Sequence, residues 1–263
     1  AFEQRETERP KVPYTRFEGE VSPHKMFDAT VFQLDDLRSI KAAVEGATIN
    51  DVVLAICSGA LRSYLQHHNE LPEESLIGWV PINARKNKGD EKAGNQIAAM
   101  TAALQTQLAD PLARLQAIRN ASKKSKEAKS GLSARIMTDL SQHVPAATQL
   151  LAIRLLLRPA LRPHLCNLFI SNVPGPQIPL YANGAKLVRN FSLAPLSPGM
   201  GLFIATPSYN GEITFNVTST REILPDIEFF MRCLRGSYEE LAAAVRPPGP
   251  KKAKKKRVKR KTS

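Results

Sequence analysis

The stretch Ala47-Thr48-Ile49-Asn50-Asp51-Val52-Val53-Leu54-Ala55-Ile56-Cys57-Ser58-Gly59-Ala60-Leu61-Arg62-Ser63-Tyr64-Leu65 decides the architecture of the chain. Its pattern predicts a helix from Ile49 to about His67. Thr48 stands where an N-cap belongs, and Asp51 three residues on completes a capping box with Asp in place of the usual Glu. Apolar residues occupy almost every side, with Ala55, Ser58, Gly59 and Ala60 between them. A helix apolar all round is buried among close neighbours. The rest of the chain must therefore supply layers around it.

Those layers are legible on both sides. Residues 27–34 alternate as a strand, and Asp35 is a plausible cap for a short helix ending near Gly46. Residues 76–82 read as a strand and 87–94 as a loop. Residues 96–108 fit helix or strand, and their alanines favour helix. Asp110-Pro111 opens a helix with Pro at its first position. Residues 132–161 read as helical, broken at Pro145 and Pro159, and 166–173 as a strand. Val173-Pro174-Gly175-Pro176 suits a type II turn. Strands are expected near 185–194 and 201–209. Asn210-Gly211 then makes a two-residue hairpin into 212–219. That loop length sets Tyr209 opposite Glu212 and Ile204 opposite Val217, and Ile213, Phe215 and Val217 give the returning strand one buried face. A last helix covers about 225–245. Interspersed strands and helices make the class α/β, a mixed sheet flanked by helices. Residues 1–25, with Pro10, Pro13 and Pro23, read as a linker from something upstream. Residues 26–246 form the domain, and 247–263 a basic disordered tail.

The chain has 263 residues, 43% hydrophobic and 23% charged, enough to bury a sizeable core. Collagenous, disordered and disulfide-framework classes are excluded. Cys57, Cys166 and Cys233 suit a reducing compartment and show no metal spacing. No apolar run is long enough for a transmembrane helix. The chain does not start with Met, so it reads as a piece of something longer. The net charge is +13, but nine cations lie in residues 251–263 with no acid among them, which leaves the body at +4. The tail, with Lys254, Lys255 and Lys256 at its centre, is either a solvated end or a tether to anionic lipid. It has no aromatic residue on which bases could stack, which argues against nucleic acid as a partner.

Phosphate-cradling and hydrolase-elbow motifs are absent. The five histidines are His24, His67, His68, His143 and His164, and no two have helical ligand spacing, so no metal is expected. His67-His68 could supply a general base, or could end a helix where a cation suits the dipole. Asn50 falls in the first helical turn, among free backbone N–H groups. Its amide could hold a substrate oxygen there or serve the helix start.

The quoted helix, with Val80-Pro81-Ile82-Asn83-Ala84-Arg85, Gly94-Asn95-Gln96, Asp110-Pro111-Leu112-Ala113-Arg114-Leu115, Ser171-Asn172-Val173-Pro174-Gly175-Pro176 and Ser208-Tyr209-Asn210-Gly211, resembles the bacterial wax ester synthase/diacylglycerol acyltransferase family. Six motifs occur in the family's order over about residues 12–246. The resemblance is to the second half of such enzymes. The family's HHxxxDG signature lies in the first half. Here His67-His68 is followed by Asn69-Glu70-Leu71-Pro72-Glu73, with Pro and Glu where Asp and Gly are needed.

The resemblance implies an acyl-CoA-dependent acyltransferase-like fold, of which this chain is the second of two similar halves, with a channel between them. It implies that the general-base His sits on an N-terminal partner half. Asn50 matches the family's Asn-Asp motif as an oxyanion or substrate-positioning group, with Asp51 as structural support. Acyl-CoA is a substrate, no cofactor is required, and the acceptor is a fatty alcohol or diacylglycerol, giving wax ester or triacylglycerol. Leu202, Phe203 and Ile204 are candidates to line the channel, or are plain core. Arg154, Arg158 and Arg162 recur every four residues among leucines, as in an interfacial helix or at the edge of a core helix. A cytoplasmic location is expected, peripheral on the inner membrane face or on lipid inclusions. Two other readings stand beside the enzyme half: a non-catalytic lipid-surface module of the same fold, and a basic nucleic-acid-binding domain.

Overall fold

In the computed structural model, Thr48 caps the central helix as its sequence requires. Its backbone N–H and hydroxyl both donate to Asp51 Oδ2, at 2.8 and 2.7 Å, and the Asp51 N–H donates back to the hydroxyl. The structure describes residues 11–83, 97–128 and 164–246. The loop expected at 87–94, the helices expected at 132–161, His143, Arg154, Arg158, Arg162 and the tail with Lys254, Lys255 and Lys256 lie outside the described residues.

The elements run β1 (Lys25–Gln33), α1 (Leu34–Ala42), α2 (Ile49–His67), β2 (Ile77–Asn83), β3 (Ile97–Ala103), α3 (Pro111–Ala128), β4 (Leu168–Val173), β5 (Tyr181–Ala182), β6 (Ala185–Lys186), β7 (Phe203–Tyr209), β8 (Glu212–Thr220) and α4 (Ile227–Val245). Six strands form one sheet in the order β1-β8-β7-β4-β2-β3. β4 runs parallel to β2 and β7, and the other pairings are antiparallel, so the sheet is mixed. Ile170, Ile204, Ile213, Phe215 and Val217 turn from one sheet face into a core shared with α1, α2, α3 and α4. α2 lies at its centre, buried from Asp51 to Leu61. Gly59 lets α4 and α3 close on it, because a Cβ there would collide with Ser237 Oγ and the Arg114 guanidinium.

Asn210 and Gly211 both take positive φ, 47° and 86°, as a two-residue hairpin of this type demands. The register follows, with Tyr209 opposite Glu212 and Ile204 opposite Val217.

Five expectations need correction. Asp35 lies inside the first turn of α1 rather than capping it, because the helix already begins at Leu34 with Gln33 in the cap position, and it ends at Ala42. Residues 97–103 are strand, not helix. β2 offers them a free edge, pairing Ile77 with Ala103 through Asn83 with Ile97, and this tertiary ladder overrides alanine's helical preference. The segment 185–194 forms strand only at Ala185–Lys186, because beyond it no neighbouring strand runs alongside. Gly175 does not have the positive φ that a type II turn needs at that place. Finally, the described part of the expected linker is docked rather than free. Thr15 and Glu18 form a capping box around a short 3-10 turn, and Phe17 is fully buried in the core.

Candidate functional site

Ser58 and Arg62, in the second half of α2, bond to the carbonyls of Leu104 and Thr106, beside the start of β2. The first turn of α2 therefore points to the other end of the sheet, where the parallel strands β2, β4 and β7 finish. In open α/β sheets that end is where ligands collect. Asn50 lies there, half-buried, in the turn where backbone N–H groups are unsatisfied and the helix dipole is positive. The side-chain bonds at this helix start run between Thr48 and Asp51 and leave Asn50 out. Asp51 is 2% exposed. Its Oδ2 is spent on the cap, while its Oδ1 is buried with no hydrogen-bond partner among the described residues. Asp51 thus holds the helix start through the Thr48 cap and also keeps a spare acceptor that sequence reasoning missed.

The strand ends are locked together by two of the sequence motifs. A Cβ on Gly175 would lie far inside van der Waals contact distance of the Ser208 carbonyl oxygen, so the loop after β4 touches the end of β7 only because this residue is glycine. The Gly175 N–H donates to Ser208 Oγ, and the Asn210 N–H to the Pro176 carbonyl. Gln177 ties both segments, its amide donating to Gly175 O and its oxygen accepting from the Gly211 N–H. Tyr209 completes the lock. Its hydroxyl accepts from the Leu180 N–H at 2.7 Å and donates to the Leu187 carbonyl at 3.0 Å.

The three residues expected to line a channel separate. Leu202 and Ile204 are fully buried on the helix side of the sheet and are core, because they share the parity of the inward-facing strand positions. Phe203 points to the opposite face and is half-buried. It stacks on Phe169 at 5.8 Å between centroids, and Phe169 in turn meets Trp79 at 4.5 Å. Beside this aromatic row, β8 buries its polar residues too. Asn216 Oδ1, Thr218 Oγ1 and Thr220 Oγ1 are enclosed with no partner among the described residues. Alternation in the sequence showed one buried face on β8; the second was not visible there because its residues are polar.

At the far end of α2 lies a different cluster. Tyr64 Oη donates to Asp226 Oδ1 at 2.5 Å and accepts from Arg16 Nη1 at 3.0 Å, while Arg16 also forks onto Glu70 at 2.6 and 2.7 Å. Burial opposes ionisation of Asp226. Hydrogen bonds from Tyr64 and His68 outweigh it and hold the carboxyl below its ordinary value. Burial, reinforced by Asp226, pushes the Tyr64 phenol up. His68 caps α2 with Nε2 at 3.1 Å from Asp226, and His67 packs its ring on Phe229. The pair ends a helix, as one of its two readings held, and it sits at the opposite end of α2 from Asn50. His164 stacks on Tyr14. Among the described residues no three His, Cys, Asp or Glu side chains converge as metal ligands.

The family model described as "WS/DGAT C-terminal domain" matches residues 93–242. The chain is 37% identical to an O-acyltransferase of Acinetobacter baylyi over 83% of its own length and 46% of that protein's. Its structure is similar to the wax ester synthase/diacylglycerol acyltransferase of Marinobacter aquaeolei VT8. There the TM-score is 0.73 at 28% identity, covering 89% of this chain and 53% of that one. A nonribosomal peptide synthetase, FmoA3, shares the fold at a TM-score of 0.56 and 12% identity, over 92% of this chain and 23% of that one. The chain spans about half the length of the curated relatives it matches.

Proposed function

The chain belongs to the wax ester synthase/diacylglycerol acyltransferase family as its C-terminal domain, and on that premise we propose that it is one half of an O-acyltransferase. The enzyme moves a fatty acyl group from acyl-CoA to a long-chain alcohol or diacylglycerol, giving wax ester or triacylglycerol. The observation that carries this reading is the half-buried Asn50 in the first turn of α2, outside the Thr48–Asp51 cap and at the end of the sheet where the parallel strands finish.

The chemistry needs two things. A base must take the acceptor's hydroxyl proton, from within about 3 Å of it. The family's HHxxxDG half supplies that histidine. The alcohol oxygen then attacks the thioester carbonyl, and the resulting oxyanion needs donors aimed at it. Asn50 Nδ2 donates to that oxygen or holds the acyl carbonyl in line, with the positive end of α2 behind it. Asp51 keeps the turn rigid through Thr48. Collapse of the intermediate breaks the carbon–sulfur bond, and the departing CoA sulfur takes the proton back from the histidine. Every group named is a side chain or a substrate, so the step requires no cofactor.

The acceptors are lipids, so the assembled enzyme works at a surface, on the cytoplasmic side of the inner membrane or on lipid inclusions. Arg154, Arg158, Arg162, Lys254, Lys255 and Lys256 are the cations available to an anionic leaflet, each worth at most about 1 kcal/mol there. The deciding experiment measures acyl transfer by this chain alone and with an HHxxxDG half added. Background activity alone and turnover on addition is the expected result. Robust activity of the lone chain would sink the two-half reading, and a lipid-binding chain that stays inactive with its partner half would make it a non-catalytic module.

A further inference from the structure

Helix α3 carries its cations toward the end of the sheet where Asn50 lies. Arg114 meets α2 at Gly59, and Arg119 lies against Gly46 in the turn before α2, so α3 climbs beside α2 toward its first turn. Gly46 has a φ of 72°, and a Cβ there would collide with Arg119 Nη2. The turn is thus shaped to let the guanidinium lie on bare backbone. Arg119 is half-buried, and its Nη1 donates to Asn120 Oδ1 at 2.9 Å. Lys123 stands one turn further along the same helix face and is exposed. Among the described residues neither cation forms an ion pair, and Glu45 beside Gly46 does not reach Arg119. Lys124 and Lys126 follow in the sequence, with Glu127 as the one acid from Arg119 to Ala128. A cation in the last turn of a helix suits the dipole, but α3 runs on to Ala128, so Arg119 and Lys123 stand before that turn.

We infer that Arg119 and Lys123 bind the phosphates of acyl-CoA, anchoring the nucleotide end of the donor while its thioester reaches Asn50. The inference rests on the acyltransferase reading and says which residues of this chain select CoA as the acyl carrier. Position and chemistry choose the ligand. CoA carries its diphosphate and 3′-phosphate at the far end of a flexible pantetheine chain from the thioester. An anchor for them therefore belongs beside the helix start that holds Asn50 rather than at the reacting carbonyl, and α3 supplies unpaired cations there. The guanidinium offers a planar fork to pairs of phosphate oxygens, and the lysine adds a mobile point charge. A flat anionic leaflet suits the pair less well, because Arg119 is half-buried against the Gly46 turn and not free on a surface.

The test uses the assembled enzyme, this full chain with the HHxxxDG-bearing half, and compares palmitoyl-CoA with palmitoyl-pantetheine, which has no phosphate. The quantity read is the ratio of kcat/KM for the two esters. Arg119→Gln and Lys123→Gln together should cut the preference for palmitoyl-CoA at least about tenfold, through a higher KM for the CoA ester. Arg119→Lys keeps the charge without the fork and should lose less. Lys123→Glu sits at an exposed position away from the Gly46 contact. It should lower the same preference with no shift in melting temperature, so the test survives if Arg119→Gln fails to fold. Added salt should shrink the wild-type preference more than that of the double variant. A preference unchanged in the double variant and in Lys123→Glu overturns the inference and leaves the acyltransferase reading intact. A wild-type assembly that turns over neither ester overturns both. Weaker binding to phosphatidylglycerol vesicles with an unchanged preference would assign the cations to a membrane surface and overturn it as well.

Discussion

Gly175 and the carbonyl of Ser208 approach so closely that no side chain fits between them. The obstacle is a backbone oxygen in a central strand, which cannot swing aside as a side chain would. Gly175→Ala should therefore destabilise the domain by about 1–3 kcal/mol, the usual range for forcing extra atoms into a packed site. Thermal unfolding checks this. A variant that melts with the wild type would mean that the loop lifts off the strand end without penalty.

Thr48 and Asn50 share one turn but divide its work, and substitution should separate them. Thr48→Ala removes the cap and should lower stability by about 1 kcal/mol. Asn50→Ala leaves the cap intact, so the melting temperature should stay close to wild type. In the assembled enzyme the same change should lower turnover by roughly ten- to a thousandfold, the scale of losing one oxyanion donor. Turnover within twofold of wild type would remove Asn50 from the reaction.

Phe203 and Ile204 are neighbours in β7 on opposite faces of the sheet. Ile204→Ala opens a hole in the core beneath the helices and should be destabilising by about 2–5 kcal/mol. Phe203→Ala removes one ring from the half-buried row with Phe169 and Trp79. Its expected effect is on the chain-length preference of the assembled enzyme, with a smaller change in stability. An unaltered substrate profile with a large drop in melting temperature would place Phe203 in the core as well.

The Asp226 cluster sets a sign for acid sensitivity. A carboxyl held below its ordinary value binds a proton less readily in the folded chain than in the unfolded one. Its contribution is present above the ordinary aspartate value of about 3.9 and fades as pH falls below it toward the folded value. Asp226→Asn should thus melt lower than wild type near neutral pH. The gap should narrow as pH falls from about 5 to 3. A gap that is constant across that window would show that the bonds to Tyr64 and His68 do not favour the ionised form.

What the sequence revealed depended on how local each cause was. The capped helix from Ile49 and the Asn210-Gly211 hairpin rest on residues within a few positions of one another, and both formed with the expected ends and register. β3 could not be read because its strand state comes from β2, some twenty residues earlier in the chain. Phe17 looked like part of a linker because the core it enters is made of distant segments. At the site, Asn50 and the Thr48–Asp51 cap were legible as helix-start chemistry. The spare oxygen of Asp51, the split of Phe203 from Leu202 and Ile204, and the glycine contact at Ser208 were not, since each depends on what lies opposite in space.

The strand order carries a consequence for how the domain comes to exist. β1 comes first in chain order among the strands of this sheet, yet it sits at the rim and pairs with β8, Lys25 meeting Thr220 and Gln33 meeting Glu212. On the ribosome it must wait with its backbone groups unmatched until nearly the whole domain has emerged. Such long-range pairing is slow to form, and the waiting edge is open to neighbouring nascent chains. Synthesis speed and chaperone supply should therefore govern the yield of this domain more than they govern the stability of the finished fold.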